Sequence, residues 1–118
     1  MQWRPDGEQL VSGSYAGDVK FWSCDGDLVR SLDNTHKGPV FSIKWSRDGR
    51  NLLTAGIDAT VCLWDGDAGT FIKRFTHHSA PVLELDWKDE DVFASCSTDK
   101  TICIVSALHQ DIHTLIGH

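Results

Sequence analysis

A histidine, a hydroxyl and a carboxylate in the middle of the chain have the side-chain types of a hydrolytic triad. The stretch TAGIDATVCLWDG contains Thr54 and Asp58, and His36 lies upstream of it. In a triad the hydroxyl attacks the substrate, the histidine takes its proton, and the carboxylate orients the histidine. Catalysis also requires an exposed nucleophile, an oxyanion hole and a cleft, and the chain has no G-x-S-x-G motif. The role of the three groups therefore depends on the elements that position them.

Aromatic and histidine residues reveal an internal repeat, which is the first feature to test in any sequence. Three sets of residues recur at a spacing of 42: Trp3, Trp45 and Trp87; Trp22 and Trp64; His36 and His78. The third copy of the second set is Val105, which lies 41 residues after Trp64. Because independent landmarks keep one period, the sequence predicts a repeated structural unit of about 42 residues.

Each repeat contains four short segments typical of β-strands. In the first segment, PVFSIKW at 39–45 and PVLELDW at 81–87, apolar and polar residues alternate with a period of two. A turn such as Asp48-Gly49 follows, and then come a second segment (NLLTAG), a third (TVCLW) and a fourth (FIKRF). No segment has a helical pattern, so we expect an all-β protein.

Four strands per repeat, the W-D dipeptide Trp64-Asp65 and the G-H dipeptide Gly117-His118 resemble the WD-repeat β-propeller. The resemblance predicts an all-β fold: a WD-repeat β-propeller fragment of about 2.8 four-stranded blades, with the ring not closed. The expected units are a partial blade 1 at 1–35, blade 2 at 36–77, blade 3 at 78–116 and the start of the next repeat at 117–118. The missing blades are expected from the rest of a longer chain.

The WD-repeat resemblance gives the triad-like residues a structural role. In such repeats the histidine, a hydroxyl of the second strand, the aspartate of the next turn and the tryptophan of W-D form a buried hydrogen-bond relay. Blade 2 has the complete set, His36, Thr54, Asp58 and Trp64. A buried indole N–H needs an acceptor, and a carboxylate can accept from turn amides, so the relay would brace the blade.

The other two blades have incomplete sets. Blade 3 has His78, Ser95 and Asp99, but Val105 stands in place of the tryptophan. Blade 1 has Ser12 and Trp22, with Ala16 where the other blades have aspartate. We expect the structural relay in His36, Thr54, Asp58, Trp64, His78, Ser95 and Asp99, and we expect no catalytic residue.

Composition argues against several other classes of protein. The net charge of −6 and the scattered basic residues disfavour direct nucleic-acid binding. The apolar runs are too short to span a membrane, and no signal peptide is visible. The four cysteines form no C-x-x-C pair, and His77-His78 and His109/His113 do not lie on a helix that would align them. We expect no metal and no cofactor.

Longer stretches resemble a narrower family. THKGPVFSIKW, HHSAPVLELDW, VFASCSTDKTICI and GSYAGDVKFW are similar to the transducin β-like family of nuclear WD-repeat proteins. The resemblance implies a subunit of nuclear-receptor corepressor complexes that contain a histone deacetylase, with contacts to histone tails. It implies a nuclear location and an adaptor that is not itself an enzyme. The alternatives are a generic WD-repeat adaptor in signalling or a ubiquitin-ligase substrate receptor, with a cytoplasmic location.

Three residues are candidates for contact with a protein partner. Tyr15, Ile57 and Thr98 directly precede the turn position of the relay aspartate in the three blades, so we expect them on one rim. Loops on a rigid scaffold commonly bind partners, and tyrosine is a frequent contact anchor. The alternative is that these residues only shape their turns.

Overall fold

The structure is a computed structural model, and it describes residues 2–32, 35–66, 69–76, 78–89 and 92–106, together with the backbone of 112–116. His77, His109 and the expected start of a further repeat at 117–118 lie outside the described residues. In the part of the chain that is described, no helix is long and apolar enough to cross a membrane.

The described strands form three antiparallel sheets of four strands each, and in each sheet the spatial order follows the chain. Blade 1 contains β1 (Gln2–Trp3), β2 (Gln9–Gly13), β3 (Val19–Ser23) and β4 (Leu28–Leu32). Blade 2 contains β5 (Val40–Trp45), β6 (Asn51–Gly56), β7 (Val61–Asp65) and β8 (Thr70–Phe75). Blade 3 contains β9 (Val82–Trp87), β10 (Val92–Ser97), β11 (Thr101–Ser106) and β12 (Ile112–Ile116). The predicted all-β class, with an array of four-stranded blades that does not close into a ring, is confirmed.

Burial differs between the strands of a blade because the blades stack face to face. All residues of β6 after Asn51 are buried, since this strand has a neighbouring blade on both of its faces. The outermost strand β4 is mostly exposed and presents Leu28 and Val29 to solvent. The first strands β1, β5 and β9 contact one another in sequence, so they form the inner side of the array.

Two apolar clusters hold the three blades together. The cluster between blades 1 and 2 contains Val11, Val19, Phe21, Ile43, Trp45, Leu52, Cys62 and Trp64. The cluster between blades 2 and 3 contains Leu53, Ala55, Val61, Leu63, Phe75, Val82, Leu85, Phe93, Cys103 and Val105. Successive residues of one strand point to opposite faces, so Leu52 packs toward blade 1 and Leu53 toward blade 3.

A repeated hydrogen bond also joins neighbouring blades. The indole N–H of Trp45 donates to the carbonyl oxygen of Gln2 at 3.2 Å, and that of Trp87 donates to the carbonyl oxygen of Lys44 at 3.1 Å. Both acceptors belong to the first strand of the preceding blade, and donor and acceptor recur at the same spacing of 42 residues. The tryptophans that mark the repeat in the sequence therefore connect one blade to the next.

Candidate functional site

The predicted site residues gather around the turns between the second and third strands of the blades. These rim turns are residues 14–18 between β2 and β3, 57–60 between β6 and β7, and 98–100 between β10 and β11. Each of the last two turns is tied to the segment that enters its blade, because Ile57 N donates to the carbonyl of Pro39 and Thr98 N donates to that of Pro81. The relay residues lie directly beneath this edge.

Blade 2 brings its four relay residues into one chain of contacts. The Nε1–H of Trp64 donates to Thr54 Oγ1 at 3.0 Å, and Thr54 Oγ1 lies 2.9 Å from His36 Nε2. On the other side of the imidazole, Nδ1 lies 3.1 and 3.2 Å from the two carboxylate oxygens of Asp58. Because the Thr54 oxygen accepts from the indole, its own hydrogen is available to His36 Nε2. If the imidazole is neutral and carries its hydrogen on Nδ1, each group in this series, from the Trp64 indole to the Asp58 carboxylate, has a hydrogen-bond partner.

Burial favours this neutral form of the imidazole. His36 is almost completely enclosed, and the resulting desolvation lowers its pKa although Asp58 acts in the opposite direction. Burial also opposes ionisation of Asp58, but hydrogen bonds from Thr60, His36 and the Lys37 amide outweigh it and lower the pKa of Asp58. The pair therefore consists of a neutral donor and an ionised acceptor at neutral pH.

One further member of the blade 2 relay, Thr60, is not among the residues predicted from the sequence. Its hydroxyl donates to Asp58 Oδ1 at 2.7 Å and also lies 3.1 Å from His36 Nδ1. Its amide donates to the same carboxylate oxygen at 3.2 Å. The signal was present in the repeat, since threonine follows the relay aspartate by two residues in both blade 2 and blade 3.

Blade 3 contains the same arrangement without the indole. His78 Nε2 lies 2.8 Å from Ser95 Oγ, and His78 Nδ1 lies 3.1 Å from Asp99 Oδ2. Thr101 donates to Asp99 through both its hydroxyl and its amide, and Ser79 N donates at 3.0 Å. Burial opposes ionisation of Asp99, but the hydrogen bonds from Thr101, Ser79 and His78 prevail and hold its pKa well below the ordinary range.

Within the described residues, blade 1 has only the indole–hydroxyl pair of the relay, without the histidine and the aspartate. The Nε1–H of Trp22 donates to Ser12 Oγ at 2.9 Å, which is the counterpart of the bond between Trp64 and Thr54. At the turn, Ala16 has no carboxylate, and the Asp18 amide is instead bound by Ser14 Oγ at 3.0 Å. The structure therefore brings together a complete relay in blade 2 and partial relays in the other two blades.

In blade 2 the hydroxyl contacts the imidazole and the imidazole contacts the carboxylate, as in a catalytic triad. The surroundings of these groups nevertheless prevent triad chemistry. The Thr54 side chain has no exposed surface, and its oxygen already accepts from the indole of Trp64. A nucleophile must be able to reach a substrate carbonyl, and here the hydroxyl is fully buried and in contact with the imidazole of His36 and the indole of Trp64. The geometry can therefore hold the blade in shape but cannot present a nucleophile.

The three candidate rim residues occupy equivalent, solvent-facing positions. Tyr15 is 87% exposed, Ile57 is 42% exposed, and Thr98 is also exposed. Ile57 packs against the backbone of Gly38, since a Cβ added there would lie 2.5 Å from Ile57 Cγ2. The backbones of these turns are fixed by the hydrogen bonds beneath them, whereas the side chains point outward.

The sheets and relays define an array of propeller blades. The chain belongs to the family described as WD domain, G-beta repeat, whose model matches residues 1–23, 26–65 and 69–106. WD-repeat propellers are generally non-catalytic scaffolds, and nothing found for this chain shows catalytic activity.

Curated relatives carry the resemblance to the transducin β-like proteins. The chain is 43% identical over 44 residues to mouse F-box-like/WD repeat-containing protein TBL1X and 41% identical over 44 residues to its human counterpart. It is 39% identical over 42 residues to the WD40 repeat-containing protein HOS15 of Arabidopsis thaliana. These matches cover 36–37% of this chain and only 7–8% of the relatives. The predicted resemblance is confirmed over that stretch.

Solved structures share the fold over nearly the whole chain. The WD40 repeats of RRP9 superpose with a TM-score of 0.92 at 20% identity and cover 99% of this chain, which spans 38% of that protein chain. The WD40 β-propeller domain of Doa1 superposes with a TM-score of 0.77 at 34% identity, covering 94% of this chain and 37% of the other. The likeness to RRP9 shows the fold alone.

Proposed function

We propose that this chain is a non-catalytic protein-interaction scaffold that acts as part of a transcriptional corepressor assembly in the nucleus. The observation that carries the proposal is the exposure of Tyr15, Ile57 and Thr98 at equivalent positions of the rim turns. A rigid sheet edge with exposed side chains from three neighbouring turns suits recognition of a protein segment. The partners are corepressor proteins, a histone deacetylase complex and histone tails.

The hydrogen-bond relays serve this function as structural supports. Asp58 and Asp99 each bind the amide of the segment that enters the blade, at Lys37 and Ser79. They also bind their own turns through Thr60 and Thr101. This holds the rim turns in position without a binding partner, which lowers the conformational cost of recognition.

The corepressor assignment rests on similarity. The matched stretch resembles F-box-like/WD repeat-containing proteins and HOS15, and the longer motifs of the sequence resemble the transducin β-like family. The alternative is a WD-repeat adaptor of signalling or of a ubiquitin ligase in the cytoplasm. The two differ in location and in partner, so one purification from separated cell fractions distinguishes them.

The outer face of blade 3 is part of the same proposal. Ala94, Cys96, Ile102 and Ile104 are the counterparts of Leu53, Ala55, Val61 and Leu63. The blade 2 residues are buried between blades, whereas the blade 3 residues are only partly buried. Apolar positions of this kind fit contact with a further blade, and the expected source is the rest of a longer chain.

The experiment compares affinity-tagged wild-type protein with a Tyr15→Ala variant. Each is expressed in human cells and purified separately from nuclear and cytoplasmic extracts, and co-purified class I histone deacetylase is quantified. We expect deacetylase with the wild-type protein from the nuclear fraction and a reduction of about fivefold or more with Tyr15→Ala.

Val29→Ala is the matched control, because Val29 is an exposed residue of the outer strand β4. It should retain the deacetylase, and all three proteins should unfold at the same temperature, since the Tyr15 side chain is largely exposed to solvent. Recovery of only cytoplasmic partners would overturn the corepressor assignment. Equal recovery with Tyr15→Ala would overturn the role of the rim.

A further inference from the structure

A cavity between blades 2 and 3 lies at the opposite edge of the sheets from the rim turns. Its volume is about 270 Å³, and it is lined by Arg47, Asp48, Trp87, Lys88 and Asp89. Trp45 pairs with Leu52 at the start of β6, whereas Val40 pairs with Gly56 beside the rim turn. Residues that follow the first strands, such as Arg47 and Lys88, therefore lie away from Tyr15 and Ile57.

The equivalent place between blades 1 and 2 is filled by the protein itself. The guanidinium of Arg4 lies over the ring of Trp45, 5.9 Å from its centroid, and Arg4 Nε lies 3.1 Å from Asp6 Oδ2. Arg4 also packs closely against Gly49, since a Cβ added there would lie 3.1 Å from Arg4 Nε. One arginine thus covers an indole face while pairing with a carboxylate.

The tryptophan and the aspartate of this contact are kept in the next repeat, but the arginine is replaced. At a spacing of 42 residues, Trp45 corresponds to Trp87 and Asp6 corresponds to Asp48, but Arg4 corresponds to Ser46. The short Ser46 side chain donates to Asp48 Oδ1 at 2.7 Å and does not extend over the indole. Consistently, Trp45 is only 7% exposed, whereas Trp87 is only partly buried.

We infer that the cavity over Trp87 is a binding site for an arginine side chain of a protein partner, held between the indole face and the Asp48 carboxylate. At the interface between blades 1 and 2, Arg4 shows the geometry that we expect for the bound arginine: its guanidinium lies over an indole and beside a carboxylate. A cation over a tryptophan ring is attracted to its face, and a guanidinium can pair with a carboxylate at the same time. The site is independent of the proposed rim function and can fail without affecting it.

The lining charges are compatible with an additional cation. Arg47 and Lys88 have exposed side chains that can turn toward solvent, whereas Asp48 is fixed in its turn. Asp48 accepts hydrogen bonds from the Arg50 amide at 3.0 Å and from the Ser46 hydroxyl, and these bonds lower its pKa. The Arg50 guanidinium, whose Nε lies 3.9 Å from Asp48 Oδ2, is largely exposed and can also turn toward solvent. Asp89 provides a second carboxylate at the same cavity. The alternative is an anionic ligand, a carboxylate bound by Arg47 and Lys88.

The test is an NMR titration of the indole resonances of the folded protein. The probes are N-acetyl-arginine methylamide, its neutral isostere N-acetyl-citrulline methylamide, and N-acetyl-glutamate methylamide, each at millimolar concentration. We expect the arginine probe to shift the Trp87 indole resonance and to leave that of Trp45 unchanged. Equal shifts with citrulline, or a shift with glutamate in place of arginine, would overturn the inference.

Three variants make the assignment specific. Asp48→Asn keeps an acceptor for the turn but removes the charge, and it should weaken arginine binding about fivefold. Ser46→Arg should fill the cavity from within and abolish the response of Trp87. Arg4→Ser should open the first interface and make the Trp45 resonance respond to the same probe. Unchanged titrations in Asp48→Asn and Arg4→Ser would contradict the proposed geometry even if Ser46→Arg failed to fold.

Discussion

The indole nitrogen of Trp87 and the carbonyl oxygen of Lys44 form a 3.1 Å hydrogen bond between the innermost strands of two neighbouring blades. Trp45 and Gln2 repeat this relationship at the preceding interface. Because the acceptor is a backbone atom, the side chain at the acceptor position can vary between glutamine and lysine while the tryptophan is retained. The bond therefore fixes the spacing of the blades independently of the surface residues.

Replacing Trp87 with phenylalanine should destabilise the protein by about 1–2 kcal/mol. The variant loses the bond to Lys44 and part of the ring that packs against Phe93, with ring centroids 5.7 Å apart. The free energy of unfolding in urea, followed by far-ultraviolet circular dichroism, measures the change. Trp3→Phe is the matched control, because Trp3 is 53% exposed, and it should change stability by less than about 0.5 kcal/mol. Equal effects of the two substitutions would contradict a specific role for the bond.

Asp58→Ala should cost about 2–4 kcal/mol of stability. The substitution removes the acceptor of the His36 imidazole, of the Thr60 hydroxyl and amide, and of the Lys37 amide, and it leaves buried donors without a partner. Urea unfolding measures the loss, and Asp25→Ala, at an exposed turn carboxylate, should have almost no effect. We expect Asp58 to affect partner binding only through stability. At temperatures where Asp58→Ala remains folded, it should therefore bind its partner as the wild-type protein does. A binding defect in the fully folded variant would assign Asp58 a direct role in recognition.

The repeat explains how much of this architecture could be predicted from the sequence. A single period of 42 residues aligns the strands, predicts the blade class and identifies which histidine, hydroxyl and carboxylate share a blade. The partners of Trp45 and Trp87 could not be predicted in this way, because their acceptors are backbone atoms of a different blade. Such contacts depend on how the sheets stack, and no side-chain pattern marks the acceptor.

The structural effect of a difference between the repeats is harder to predict from the sequence than that of a feature they share. The change from Arg4 to Ser46 is unremarkable in the sequence, but in the structure it separates a covered indole from an open cavity. The role of Thr60 could not be predicted for a different reason. Its type and spacing repeat at Thr101, but its function becomes clear only when its hydroxyl lies beside both the carboxylate and the imidazole.

Stability should fall as the pH decreases below about 6.5. The folded state lowers the pKa of His36 through burial, whereas in the unfolded chain this group titrates near its ordinary value of 6.5. Between these two values the unfolded state binds more protons, so acidification favours unfolding. The pKa of Asp58 and of Asp99 is lowered as well, so a second loss should follow below about pH 4. Urea unfolding from pH 8 to pH 3 measures both steps.

His36→Gln is the variant that isolates the first step. It should be less stable than the wild-type protein at pH 8, because the imidazole bonds to Thr54 and Asp58 are lost. Its stability should depend less on pH between 7 and 5, while the acidic step from Asp99 remains. If the variant keeps the full wild-type dependence between pH 7 and 5, the loss in that range does not come from His36.

Ala59→Gly should stabilise the protein by about 0.5–1 kcal/mol. Ala59 has a φ of 66°, in the left-handed region that costs a residue with a Cβ about 1–2 kcal/mol, and glycine avoids this strain at a smaller entropic cost. Gly17 occupies the equivalent position of blade 1 with a φ of 96°. Gly17→Ala is the opposing test, because its Cβ would lie 1.9 Å from the His36 carbonyl oxygen, and it should cost about 2 kcal/mol or more. Thermal unfolding measures both changes, and shifts in the same direction would contradict this account of the turn.

Thiol labelling should separate the cysteines by their burial. Cys24 is exposed, whereas Cys62 lies in the apolar cluster between blades 1 and 2, where burial raises the pKa of its thiol to about 11. The thiolate is the reactive form, so at pH 8 a disulfide reagent such as dithionitrobenzoate should modify Cys24 rapidly. Cys62 should react at least about a hundredfold more slowly than Cys24, because the reagent reaches it only when the two blades transiently separate. Mass spectrometry of the labelled peptides measures both rates, and Cys24→Ser should remove the fast phase alone. Rapid labelling of Cys62 in native buffer would mean that the interface between blades 1 and 2 opens readily, and it would contradict the packing of that cluster.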